Sequence, residues 1–71
     1  VGYRSLRLNT SGQFNTAVGA NTLDSNTTAS NNSAFGDGAL GATTTGSNNT
    51  GIGQHALTDN TTGASNTAVT T

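Results

Sequence analysis

Asn15-Thr16-Ala17-Val18-Gly19-Ala20-Asn21-Thr22-Leu23 is answered by Asn32-Ser33-Ala34-Phe35-Gly36-Asp37-Gly38-Ala39-Leu40, and again by Asn49-Thr50-Gly51-Ile52-Gly53-Gln54-His55-Ala56-Leu57. The offset is 17 residues each time, and a further unit opens at Asn66-Thr67-Ala68-Val69. Working outward, the unit preceding Asn15 keeps the same phase with Val1-Gly2 and Leu6. Residues that share a position in successive units form a rank. Leu6, Leu23, Leu40 and Leu57 make one such rank, Gly2, Gly19, Gly36 and Gly53 a second, and Asn15, Asn32, Asn49 and Asn66 a third. The polar stretch that closes each unit is also in phase, at Thr10, Thr27, Thr44 and Thr61, then Ser11, Thr28, Thr45 and Thr62, then Gly12, Ala29, Gly46 and Gly63. A fixed period without insertions is the mark of a repeat architecture. Residues 1–71 therefore read as one repeat array of about four units, begun and ended within a unit at Val1 and Thr71, as in an excerpt of a longer fibre.

Composition narrows the function classes. The charged residues are Arg4, Arg7, Asp24, Asp37 and Asp59, and Asn, Thr, Ser, Gly and Ala dominate the rest. Such a chain has no basic footprint for nucleic acid or for an anionic membrane. No apolar run approaches the length of a membrane span. Without cysteine there are neither disulfides nor thiolate metal sites. Low hydrophobicity by itself would indicate disorder, but disordered polar tracts do not hold large apolar side chains in phase.

Seventeen residues are too few for a helical-hairpin repeat, which needs about 30 or more. The abundance of Thr, Val, Asn and Gly also opposes helix. The period suits an all-β parallel β-solenoid, a β-roll or β-helix in which each unit makes one coil and equivalent residues stack at the inter-strand spacing of about 4.8 Å. Alternation along Asn15 to Gly19 separates Asn15, Ala17 and Gly19 from Thr16 and Val18. Either group could face the interior, and the one carrying Val18 is favoured. Val18, Leu23, Phe35, Leu40, Ile52 and Leu57 are then the expected core. Ala17, Ala34, Gly51 and Ala68 provide close packing. Asn15, Asn32, Asn49 and Asn66 are expected to form an amide ladder, each side chain bonding to the next, as in cross-β stacks. Two large side chains per unit are a thin core for ordering 17 residues, so the sequence predicts lateral association between chains.

The pattern Asn-Thr-Ala-Val-Gly, three residues, Leu, then Asn-Thr-Thr and a small residue resembles the repeats of trimeric autotransporter adhesin heads and of bacteriophage tail-fibre shafts. The matching stretches are Asn15 to Leu23 with Asn26-Thr27-Thr28, Asn32 to Leu40, Asn49 to Leu57 with Asn60-Thr61-Thr62-Gly63, and the opening at Asn66. The adhesin-head unit is shorter, which places the additional residues in the polar arc around Thr27 and Thr28. The resemblance implies a homotrimer, an extracellular setting on a cell surface or virion tail, and partners that are other copies of the chain together with host-surface glycans or receptors.

No constellation of residues points to catalysis, a cofactor or a metal. His55 shares its rank with Arg4, Asn21 and Gly38, a set that suits a solvent-facing corner and provides no second catalytic partner. Asp24, Asp37 and Asp59 fall at different phases and do not converge as paired carboxylates. The Thr10, Thr27, Thr44, Thr61 rank raises an ice-binding module as a minor alternative, but a Thr-x-Thr pair occurs only at Thr43 and Thr45. Asn9, Asn26, Asn31, Asn48 and Asn60 satisfy the N-glycosylation sequon and are candidate acceptors. The expectation is a non-enzymatic structural or adhesive fibre segment. The alternative is a self-polymerising matrix filament, with or without glycans.

Overall fold

The computed structural model describes residues 1–69, and Thr70 and Thr71 lie outside it. Four strands of three residues each occupy the same place in successive units: β1 (Thr16–Val18), β2 (Ser33–Phe35), β3 (Thr50–Ile52) and β4 (Thr67–Val69). They form one parallel sheet in the order β1-β2-β3-β4. Thr16 pairs with Ser33, Ser33 with Thr50 and Thr50 with Thr67, so the register offset equals the 17-residue sequence period. The fold is all-β, without a helix among the described residues, and its arrangement is compatible with a β-solenoid. β1, β3 and β4 carry β-branched residues at both ends, whereas β2 has Ser33 and Phe35 in the same places. They stop at the glycine rank, where φ is 130° at Gly19, 127° at Gly36 and 122° at Gly53. Gly36 illustrates why glycine is required: besides its positive φ, a Cβ there would lie 2.5 Å from the carbonyl oxygen of Gly53 in the next unit.

Beyond each strand the chain bends through left-handed residues. Arg4, Asn21 and His55 have φ of 61°, 58° and 60°, with Gly38 at 74° in the same rank. Two residues further on, Leu6, Leu23, Leu40 and Leu57 adopt φ between 51° and 54°. A third bend falls on Phe14, Asn31, Asn48 and Ser65. Left-handed backbone costs roughly 1–3 kcal/mol at a residue that is not glycine. At the leucine rank the bend turns the side chain inward, and full burial of a leucine contributes a similar roughly 1.5–3 kcal/mol.

The arc stays hydrogen-bonded by dividing its N–H groups between two directions. Leu23 N–H donates to Ala39 O at 3.1 Å and Leu40 N–H to Ala56 O at 2.9 Å, tying one unit to the next. The intervening groups close turns inside the unit, Ala39 to Gly36, Gly41 to Gly38 and Thr43 to Leu40. Main-chain polarity is thus satisfied without long strands.

The interior differs from the sequence expectation. Leu23 and Leu40 are fully buried, with Leu6 and Leu57 packed against them. Val18, Phe35 and Ile52 instead point outward, at 38%, 43% and 40% exposure. Ala17, Ala34 and Gly51 take the inward position of the strands. The reason is space. A Cβ on Gly51 would already sit 3.3 Å from Leu40 Cγ and 3.2 Å from Ala56 O, so the leucines arriving from the arc leave room opposite only for Ala or Gly.

Candidate functional surfaces

The asparagines at the strand entrances form the most regular polar feature. Asn15 Oδ1 accepts from Asn32 N–H at 3.0 Å, Asn32 Oδ1 from Asn49 N–H at 2.8 Å, and Asn49 Oδ1 from Asn66 N–H at 2.9 Å. Each Nδ2 donates to a carbonyl 14 residues along: Asn15 to Ala29, Asn32 to Gly46 and Asn49 to Gly63. The ladder thus runs from side chain to main chain, whereas the sequence reading joined side chain to side chain. One amide both links neighbouring units and fastens the end of a unit to its beginning.

A second amide rank, unforeseen from the sequence, lies at Asn9, Asn26 and Asn60, with Thr43 interrupting it. Asn26 Nδ2 donates to Asn9 Oδ1 at 2.8 Å and to Ala29 O at 3.2 Å. Asn60 Nδ2 donates to Gly63 O, and the Thr43 hydroxyl donates to Asn60 O. Asn26 Oδ1 is buried without a partner. Its Nδ2 is equally enclosed, so Asn26 is withdrawn from the glycan acceptors: in the folded chain that nitrogen is already committed to two hydrogen bonds. Asn60 is half-buried with its Nδ2 engaged, Asn9 is exposed but likewise donates its Nδ2 to Gly12 O at 3.2 Å, and Asn31 and Asn48 are exposed.

The threonine rank is likewise turned onto the main chain. The hydroxyls of Thr10, Thr27 and Thr44 donate to the carbonyls of Thr27, Thr44 and Thr61 at 3.1, 3.3 and 3.5 Å. These donors serve cohesion between units.

All five charged side chains stand on the bends after the strands. Arg7 Nε donates to Asp24 Oδ1 at 2.7 Å across two units. That hydrogen bond raises the Arg7 pKa and lowers that of Asp24, with burial opposing both shifts. His55 Nε2 lies 4.0 Å from Asp37 Oδ2. The Arg4 guanidinium carbon sits 5.3 Å from the Tyr3 ring centroid, within cation–π range. Asp59 is exposed and stands apart from Asp24 and Asp37 in phase. Among the described residues no group of three His, Asp or Glu side chains is placed to hold a metal ion.

The remaining surface is the outward side of the sheet. Val18, Phe35, Ile52 and Val69 form a column along it, flanked by Thr16, Ser33, Thr50 and Thr67. Comparison with family models, curated proteins and solved structures gives no match.

Proposed function

We propose that this chain is a structural and adhesive segment of an extracellular fibre: a parallel β-solenoid of 17-residue coils, assembled as a homotrimer and working as a spacer or head on a cell surface or virion tail. It is not an enzyme in this reading. The observation that carries the proposal is the coincidence of two periods. A gap-free 17-residue repeat in the sequence meets a 17-residue strand register in the sheet. Each added coil extends such a structure by one inter-strand spacing, about 4.8 Å, with the same contacts as the last. That is the physical requirement for holding a binding end away from its anchor.

Solution mass and circular dichroism of the purified chain test the proposal together. A β-rich species with three times the chain mass is the expected result. An open-ended distribution of masses would favour the self-polymerising matrix filament, and a disordered monomer would defeat both readings. A Leu40→Asp chain, with a charge placed at a fully buried position, is expected to lose both the β signal and the assembly.

A further inference from the structure

Each strand places its larger side chain outside and its smaller one inside, the reverse of the usual partition of an isolated protein. We propose that the outward face of β1 to β4 is the surface on which a second copy of this chain docks, rank against rank. This inference rests on the multichain fibre reading and specifies which face makes the contact.

Three observations single out this face and this occupant. The first is continuity. Val18, Phe35, Ile52 and Val69 lie on adjacent strands in unbroken register, so their exposed surfaces merge into one apolar column. A merged apolar surface, unlike scattered exposed residues, marks an interaction site.

The second is charge. Arg4, Arg7, Asp24, Asp37 and Asp59 all belong to the stretch equivalent to Ala20–Ser25, on the bends, and none lies on a strand. Interface centres are depleted of charge and enriched in aromatic and large apolar groups, while charged groups keep to the solvated remainder. The bends therefore face water. The strand face and the polar arc are both uncharged, and of the two the strand face carries the in-register column of large apolar side chains.

The third is periodicity. The column repeats at the inter-strand spacing, about 4.8 Å. A partner that meets every rank must present the same axial repeat. A second copy does so by construction, and in a closed cyclic assembly the same face of every copy is turned toward the common axis. The side chains also vary along the column, from Val18 through Phe35 and Ile52 to Val69, which gives like ranks a preferred alignment.

The chain has no cysteine, so single-cysteine variants report the contact cleanly. Under mild oxidation Ile52→Cys is expected to give disulfide-linked chains, whereas Thr45→Cys, exposed on the polar arc away from the strands, is expected to give none. In parallel, Phe35→Asp is expected to reduce the solution mass to that of one chain, while Thr45→Asp leaves it unchanged. If Phe35→Asp also loses its β signal, the cysteine pair decides. A wild-type assembly that persists in Phe35→Asp, or in which Ile52→Cys does not cross-link above the Thr45→Cys level, overturns the docking face and leaves the fibre reading standing. A β-rich wild-type monomer overturns both.

Discussion

Two ranks of amides run through this fold, one complete at Asn15, Asn32, Asn49 and Asn66, the other broken where Thr43 stands between Asn26 and Asn60. In the first, the buried Asn32 and Asn49 use both ends of the amide, the oxygen accepting from the next unit and the nitrogen donating along their own. In the second, Asn26 uses its nitrogen twice, but its buried oxygen has no donor. The geometry of the rank explains the gap. Asn26 reaches back to Asn9 Oδ1 with its Nδ2, and an asparagine at position 43 would reach Asn26 Oδ1 in the same way, whereas the Thr43 hydroxyl is directed to Asn60 O. A repeat of this kind thus depends less on its average composition than on each rank supplying a donor for the acceptor before it.

The complete rank is the place to break the comparison most severely. Asn32→Leu keeps side-chain size but orphans Asn49 N–H and Gly46 C=O, both in buried residues. At about 1–3 kcal/mol for each unsatisfied group, the expected loss is roughly 2–6 kcal/mol, read from the urea midpoint. Asn26→Leu removes donors to Asn9 Oδ1 and Ala29 O but also removes an oxygen that was already unpartnered. Its loss is expected to be clearly the smaller of the two, and equal losses would contradict the distinction drawn between the ranks.

Thr43→Asn sharpens the comparison with the opposite sign. It is expected to complete the second rank and stabilise the chain by about 1 kcal/mol, the ordinary net value of one buried hydrogen bond. A lower midpoint than wild type would show that the hydroxyl bond to Asn60 O outweighs the orphaned amide oxygen.

The smallest effect belongs to the exposed Arg7–Asp24 pair, which links units without burying them. The hydrogen bond from Arg7 depresses the Asp24 pKa in the folded chain. A depressed folded pKa gives stability that is complete above the unfolded value, about 3.9, and is lost as pH falls through the folded value. Acid titration of the thermal midpoint below about pH 4 is expected to show a component that is absent from Arg7→Ala and weakened by salt. Identical acid curves for the two chains would remove the pair from the account.

Much of this fold was legible because stacking demands in-phase residues. The glycine rank, the buried leucines at positions 23 and 40 and the asparagine rank at the strand entrances all have the period of the sheet. The facing of the strands was not legible. Alternation separates Ala17 from Thr16 and Val18 but leaves open which side is interior. What decides is the volume taken by leucines that enter from the bend, seen in the contact that a Cβ on Gly51 would make with Leu40. The left-handed leucines were hidden for a related reason, since leucine has no preference for that conformation and accepts it here for burial. The local hints of a bend lay in the ranks before the leucines, first the glycines at Gly19, Gly36 and Gly53 and then Asn21 and Gly38. The second amide rank was obscured by Thr43 and by the abundance of Asn-Thr-Thr, which made Asn26 and Asn60 look like glycan sequons.

Amide hydrogen exchange at Asn49 tests the central claim, that units bond to one another at an offset of 17 residues, most directly. Its N–H is buried against Asn32 Oδ1, so it is expected to exchange among the slowest in the chain and to accelerate sharply in Asn32→Leu. An Asn49 amide that exchanges as freely as that of exposed Asp37, or that keeps its protection in Asn32→Leu, would contradict the stacked register from which the rest of the account is built.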